Sequence, residues 1–425
     1  MPHRIVFIHL AGEKDAVPTG RLTMIESGIE LRGSRFAYGR RYVERPNALP
    51  VDPVSLPLAD AGDGREWVPT GGLLLFGALR DATPDQWGRR VIENRLRAPP
   101  NGLPESIYLD QAGPHRAGAL DVRESPTSSA SASVLPCILD LGYLQDAAER
   151  VESGEPVPAS LDIFFAGGPS LGGARPKAVV SAEGREWIAK FPSRHDPFDI
   201  PVVERAVLEL ARDADLNVPQ TRLVPLADGR QVMLIERFDR QMHASGCSRR
   251  HMVSALTLLG RHESASPDSS YADLADAISK YGVDGAVAAD RIELYRRMVF
   301  NILVSNDDDH LRNHAFLCAT DGAGWRLSPL YDVVPRPQIA HDRMLHLSVG
   351  PHGRSARLDN ALAGCGRFGL LRPNAAHIID RIVRVVREWR ERFEAAGVDP
   401  RQCDRVASAF PRARDIGMQA VEKAL

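Results

Sequence analysis

An α+β chain of several sub-domains is what the sequence predicts, on three observations. Short runs with period-two alternation and hairpin turns recur through the first 240 residues, whereas apolar residues at helical spacing dominate the remainder of the chain. The length of 425 residues exceeds the size at which single cores usually divide, so two or three sub-domains around a common site are expected. Hydrophobic residues at 44% with charged residues at 25% exclude the disordered and membrane-embedded classes.

Charge and cysteines narrow the setting further. Lysine and arginine number 53 against 55 acidic residues, and the net charge of −2 carries no global footprint for nucleic acid. Cys137, Cys247, Cys318, Cys365 and Cys403 are scattered, without the paired spacing that zinc requires, and read as reduced thiols of a cytoplasmic protein. The N-terminus lacks the basic start and apolar run of a signal peptide. No run reaches the roughly 18 apolar residues needed to span a bilayer, so no membrane partner is expected.

From the N-terminus, Arg4 to Leu10 reads as a strand, and Gly20-Arg21-Leu22 with alternation to Tyr42 as a small antiparallel unit. The stretch Asp81 to Gly88 predicts a helix through Leu96, with Thr83 as its cap and Pro84 at its first position. Residues 1–122 therefore form a β-plus-helix domain whose plainest role is packing. Residues 123–160 hold a serine-rich stretch, Arg123 to Ser133, too poor in large apolar groups to order itself by burial, and then a helix from about Ser133 to Ser153.

Residues 161–240 form the next block. It opens on a Gly-rich loop that includes Gly172, Gly173, Ala174, Arg175, Pro176 and Lys177. Glycines let backbone N–H groups approach phosphate oxygens closely, although such a loop is often only a turn and this one does not match the Walker pattern. A hairpin comes next, Ala178 to Ser181 and Arg185 to Phe191 around Ala182-Glu183-Gly184. Alternation sends Trp187, Ala189 and Phe191 to one face and Ile188 and Lys190 to the other. Lys190 is either a phosphate-contacting lysine or a solvated edge lysine. Pro201 to Asp213 is a helix with Val203, Ala206, Val207, Leu210 and Ala211 on its apolar face. Glu204 in its first turn either pairs with Lys190 or simply favours the positive helix end. Gln220 to Pro225 reads as a strand, and Gln231 to Arg240 as a buried hydrophobic strand emerging into a short polar segment that resembles the hinge between two kinase lobes, with Phe238 equally suited to a core.

Residues 241–425 turn helical: Ser254 to Gly260, Ser270 to Lys280, Val287 to Val304, and a long amphipathic helix from Ala375 to Ala396. At the end of the third lies Asn306-Asp307-Asp308-Asp309-His310-Leu311-Arg312-Asn313. Asp308 and Asn313, five apart, have the spacing by which a kinase catalytic loop holds a base and a metal ligand beside one phosphate. His310 and His314 with their acidic neighbours leave a metal-hydrolase reading open, although no third ligand is evident and Asn313 would be idle. Two short strands, Ala315 to Cys318 and Trp325 to Leu327, lead to Asp332, in the place of a second Mg²⁺-binding group. Gly-rich loop, strand lysine, helix glutamate, hinge, Asp with Asn, and a further Asp stand in the order a kinase requires.

Carried by Ser170 to Lys177, Trp187 to Lys190, Ile235 to Arg240, Asn306 to Asn313 and Leu327 to Asp332, the chain resembles the HipA family, the serine/threonine kinase toxins of bacterial type II toxin–antitoxin pairs. The resemblance implies a divergent protein-kinase fold: an extra N-terminal β/α domain, a mixed α/β small lobe and an all-helical large lobe. It implies Asp308 as catalytic base, and Asn313 and Asp332 as holders of Mg²⁺. Lys190 and the loop Gly172 to Lys177 would contact the phosphates of ATP, Glu236, Arg237 and Phe238 the adenine. His310 and Tyr331 would line the nucleotide site, with Leu311 and Arg312 beside them. Ser170 matches a serine that family members autophosphorylate. Asp307 stands where the family commonly has Thr, and repulsion within the resulting run of three acids is expected to raise one pKa and sharpen metal dependence.

The function so implied is ATP- and Mg²⁺-dependent phosphorylation of a protein serine or threonine, with a translation component such as an aminoacyl-tRNA synthetase as the family precedent. The implied partner is a separate helix-turn-helix antitoxin, HipB-like, and through it operator DNA. The alternatives are a small-molecule kinase of the same broad fold and a non-catalytic antitoxin-binding co-repressor.

Overall fold

Alternating burial along His3–Ile8 and its partners builds the first sheet of the computed structural model, which describes residues 3–61, 64–128, 134–161, 163–167, 173–243, 246–338, 340 and 342–425. Glu30–Tyr38, Val17–Ser27, His3–Ile8 and Leu120–Arg123 lie side by side in that order, each antiparallel to its neighbour. Val6, Ile8, Leu22, Met24 and Phe36 turn to the interior, as a sheet with one covered face requires.

The chain divides into two compact units. The first holds residues 1–194, 224–262 and 317–322; the second holds 195–223, 263–316 and 323–425. In the first unit a second sheet carries Lys177–Ala182, Arg185–Lys190 and Gln231–Glu236 in spatial sequence, the first two joined by the Glu183-Gly184 turn. Trp187, Ala189 and Phe191 are buried on one face of it, as the alternation predicts. They share a core with Trp87 and Val91 of the helix Gln86–Leu96 and with Leu144, Ala148 and Val151 of Leu141–Ser153. The N-terminal domain and the small lobe therefore stabilise one another through one continuous apolar interior.

Several expected boundaries move. The helix 86–96 is capped by Asp85, whose Oδ1 accepts from Gly88 N at 3.0 Å, and not by Thr83. Thr83 closes a separate short helix, Gly77–Asp81, by donating its hydroxyl to Arg80 O. The helix expected from Ser133 starts at Leu141, after a single 3-10 turn. Pro136 disfavours helical backbone before it, and its carbonyl instead accepts from Ser181 N at 2.8 Å. The long C-terminal helix is two, Arg372–Arg387 and Trp389–Ala395. Trp389 stacks flat on Phe410 at 4.1 Å, an attachment invisible to periodicity.

The second unit is built on Val287–Val304, whose Leu294, Tyr295, Met298, Val299, Ile302 and Leu303 are buried. Ile200–Asp213 and Tyr271–Tyr281 accompany it, the latter opened by a reciprocal Ser270/Asp273 capping box. The C-terminal part of the chain is not helical throughout: strands occur at Arg240–His243, Gly246–Arg249, Met252–Ser254, Ala315–Cys318 and Trp325–Leu327. No helix among the described residues is long and apolar enough to cross a membrane.

Candidate active site

The first unit places two lysines face to face. Lys177 and Lys190 are directly opposed partners in the antiparallel hairpin, so both side chains leave the same face. Like charges in that relation are unfavourable unless an anion or carboxylate lies between or beside them. Lys177 is 4% exposed, with Nζ 3.9 Å from Asp85 Oδ2. Gly173 sits against it at φ +108°, where a Cβ would fall 2.4 Å from Lys177 Nζ. That backbone conformation favours glycine, and a side chain there would displace the lysine ammonium. Pro176 O accepts from Phe191 N at 3.0 Å and Gly173 O from Trp87 N at 3.3 Å, while Ala174 and Arg175 are exposed. Ser170 and Gly172 lie outside the described residues.

The hinge-like segment is fixed by buried charge. Arg237 donates from Nε and Nη2 to the two Asp239 oxygens at 3.0 and 2.8 Å, reaches His115 O and Arg116 O, each at 2.9 Å, and pairs with Glu186 at 3.1 Å. Arg240 joins Asp239 and Glu186, and Asp239 also accepts from Gly118 N at 2.7 Å. Burial alone would raise the Glu186 carboxyl, but the His115 imidazole 3.7 Å away and the charges of Arg240 and Arg237 outweigh it and bring it to about 2. Arg237 N donates to Glu186 O, so both its main-chain donor and its guanidinium are spent on structure. Glu236 pairs with Arg185 at 2.6 Å. Phe238 lies between Arg237 and Asp239 in the chain.

The second unit carries the acidic motif at the C-terminus of Val287–Val304. Ser305 caps that helix in the left-handed region at φ 49°, which turns the chain sharply into Asn306 to Asn313. Asp308 and Asn313 are brought together: Asn313 Nδ2 donates to Asp308 O at 3.1 Å, and His310 N to the same oxygen at 2.8 Å. Asp308 keeps its carboxylate half exposed and receives Arg336 Nη2 on Oδ2 at 2.5 Å.

The three acids have different partners. Asp307 turns to Arg336 Nε at 3.2 Å and to Gln338 Nε2 at 2.7 Å. Asp309 is 1% exposed and accepts from Asn301 Nδ2 at 2.8 Å, His314 Nε2 at 2.9 Å and Tyr271 Oη at 2.5 Å. Burial pushes its carboxyl up, but the His314 charge and the bonds from His314 and Tyr271 prevail and hold it below the usual range. His314 is thus committed to Asp309, and no cluster of three or more His, Cys, Asp or Glu suited to a metal occurs among the described residues.

Around this core, Leu311 N donates to Ser266 Oγ at 3.2 Å and Arg312 pairs with Glu263. The His310 ring meets His346 edge to face at 5.9 Å. Tyr331 Oη donates to Arg312 O at 2.7 Å, which ties the residue before Asp332 to the residue before Asn313. Asp332 itself has φ +58°, a left-handed conformation that is strained for a non-glycine residue and concentrates at functional turns. Asn313 and Asp332 offer an amide oxygen and a carboxylate, the hard oxygen donors that suit Mg²⁺. Lys190 and the hinge belong to the first unit, Glu204 and the acidic motif to the second. Sequence reasoning missed Arg336, Gln338, Ser266 and Tyr271, whose parts depend on tertiary contacts that no spacing announces.

Comparison with known proteins then places the chain. The family described as the HipA-like C-terminal domain matches residues 169–389. A Sinorhizobium fredii protein named as a kinase, Y4mE, is 27% identical over 318 residues, covering 70% of this chain and 71% of the relative. A Haemophilus influenzae protein also named as a kinase is 25% identical over 203 residues, covering 43% and 58%. A solved chain from the Shewanella oneidensis toxin–antitoxin complex of HipA, HipB and operator DNA superposes with a TM-score of 0.68 at 18% identity, covering 98% of this chain and 97% of that one. At that identity the likeness carries the fold, an α+β arrangement of the HipA kind.

Proposed function

Because the chain belongs to the HipA-like family, whose match spans just over half of its 425 residues, we propose that it is an ATP- and Mg²⁺-dependent kinase that phosphorylates a protein serine or threonine. The observation that carries this reading is the joining of Asp308, Asn313 and the Asp332 segment: Asn313 bonds to Asp308 O, and Tyr331 bonds to Arg312 O. A base and two hard oxygen donors are thereby held on one frame.

In this reading Asp308 accepts the proton of the acceptor hydroxyl as its oxygen bonds to the γ-phosphorus and the bond to the bridging oxygen of the nucleotide breaks. Asn313 and Asp332 would hold Mg²⁺, which supplies charge neutralisation to the phosphates. On the first unit by itself, Lys177 and Lys190, opposed across the hairpin, are the cationic groups proposed to contact phosphate oxygens. Little covalent help is needed from the protein, so positioning and charge do the catalysis. Glu236 and Phe238 are the hinge residues proposed to meet the base, and Ser170 is the proposed site of autophosphorylation. A separate HipB-like antitoxin and, through it, operator DNA are the proposed partners, supported by the composition of the Shewanella complex.

The test is phosphopeptide mass spectrometry of cells expressing the wild type or Asp308→Asn, with labelling by radioactive ATP in vitro. Loss of transfer, including any Ser170 phosphopeptide, in the variant is expected. Undiminished transfer by Asp308→Asn would refute the assignment.

A further inference from the structure

We infer that Arg336 is a positioning residue of this site, one that fixes the carboxylate of Asp308 so that a single oxygen faces the acceptor. The inference rests on the reading of Asp308 as the base. A carboxylate offers two oxygens, and free rotation about its last bond would present either. Here Arg336 Nη2 takes Oδ2 at 2.5 Å. Among the described residues no donor takes Oδ1. The same guanidinium lies 3.2 Å from Asp307 Oδ1 through Nε, an ion pair without hydrogen-bond alignment, so one cation is shared by two consecutive carboxylates.

The cation is itself anchored. Arg336 N donates to Ser305 O at 3.2 Å, two residues before the acidic run, and Asp307 N donates to that same oxygen at 3.0 Å. Ser305 Oγ receives Arg343 Nη1 at 2.5 Å, and Gln338 holds the outer oxygen of Asp307. Backbone and head group of Arg336 are both fastened beside the motif, which is the construction of a brace. A detachable cap over the base would need neither the main-chain bond nor the second carboxylate. This also gives Asp307 a part: it is the second foothold of the brace, which an uncharged residue at that position would not provide.

The experiment compares wild type, Arg336→Ala, Arg336→Lys, Asp307→Asn and Asp308→Asn in steady-state phosphoryl transfer, with thermal melting of each. Arg336→Ala is expected to lose at least tenfold in kcat with the KM for ATP unchanged and melting within a few degrees of wild type. Millimolar guanidinium ion should restore part of that loss, and Arg336→Lys, which keeps the charge without the fork, should fall between. Asp307→Asn should reduce kcat in the same direction by less. Wild-type or raised kcat in Arg336→Ala, with Asp308→Asn inactive, overturns the brace and leaves the kinase reading standing. An active Asp308→Asn instead removes the base on which both depend. Should Arg336→Ala fail to fold, guanidinium dependence of Arg336→Lys decides: stimulation supports the brace and indifference overturns it.

Discussion

Asp309 accepts a hydrogen bond from His314 Nε2 at 2.9 Å, with both side chains closed off from solvent. Asp309 directly follows the half-exposed Asp308, so the motif has an inward acid that holds it and an outward acid paired with Arg336. Tyr271 and Asn301 complete the inward cluster, joining the motif to two helices.

Removing the acceptor from that cluster is expected to be costly. Asp309→Ala leaves a tyrosine hydroxyl, an amide and an imidazole buried without their common partner, a loss of about 3–5 kcal/mol. The folded pKa of Asp309 lies below its unfolded value, so its contribution is fully present above the unfolded pKa and disappears as pH falls through the folded one. Urea unfolding of wild type, Asp309→Ala and Asp309→Asn at pH 7 and below pH 4 checks both statements. Both variants should be less stable than wild type at pH 7, and the gap should narrow in acid.

The buried cluster of Arg237, Asp239, Arg240 and Glu186 predicts a second acid-sensitive element. Glu186 moves from 4.5 to about 2 on folding, so it stabilises the fold above the unfolded value and ceases to do so as pH falls towards 2. A shift of that size corresponds to about 3 kcal/mol at most. Glu186→Gln should flatten the stability profile in that window, and Asp239→Ala, which strands two buried guanidinium groups, should cost about 3–5 kcal/mol at neutral pH. Chemical denaturation across pH 2 to 7 reads both.

Much of this was legible in the sequence. Alternation around Trp187, Ala189 and Phe191 gave the strand and its buried face, and helical spacing gave Val287–Val304 with the acidic motif at its end. Pro136 and Asp85 were legible in principle, since both act locally on a helix start. What stayed hidden is long-range: Trp389 stacking on Phe410, Arg336 reaching back to Asp308, and the core that Trp87 shares with Trp187. Each joins residues many positions apart, and pairing of that kind leaves no period in the chain.

His251 titrates in a separate window. Burial lowers its pKa to about 4, against weaker raising effects from the Val51 and Pro50 carbonyls and from Asp81. A histidine depressed on folding contributes stability that is present above its unfolded value of 6.5 and lost as pH falls to about 4, roughly 3 kcal/mol in all. Thermal melting of wild type between pH 7 and 4 should therefore show a fall that begins above the range of the carboxylates. His251→Gln, keeping a donor for Val51 O 3.0 Å from Nε2, should lose most of that early fall.

Tyr331→Phe separates positioning from stability at the proposed metal-binding segment. The tyrosine hydroxyl is 2.7 Å from Arg312 O, and Arg312 is held independently by Glu263. Deleting the hydroxyl therefore releases the segment before Asp332 without collapsing the one before Asn313. A single hydrogen bond contributes about 1 kcal/mol net, so melting should shift by only a few degrees. If that bond sets the relation of Asp332 to Asn313, the same energy appears in the transition state as a loss of up to about tenfold in phosphoryl transfer. The requirement for Mg²⁺ should rise in parallel, because the ion must then recruit a ligand that is no longer held in place. Transfer rates measured over a Mg²⁺ titration test this: a shifted midpoint with near-normal melting supports it, and an unchanged midpoint with unchanged rate shows that Asp332 is positioned by other contacts.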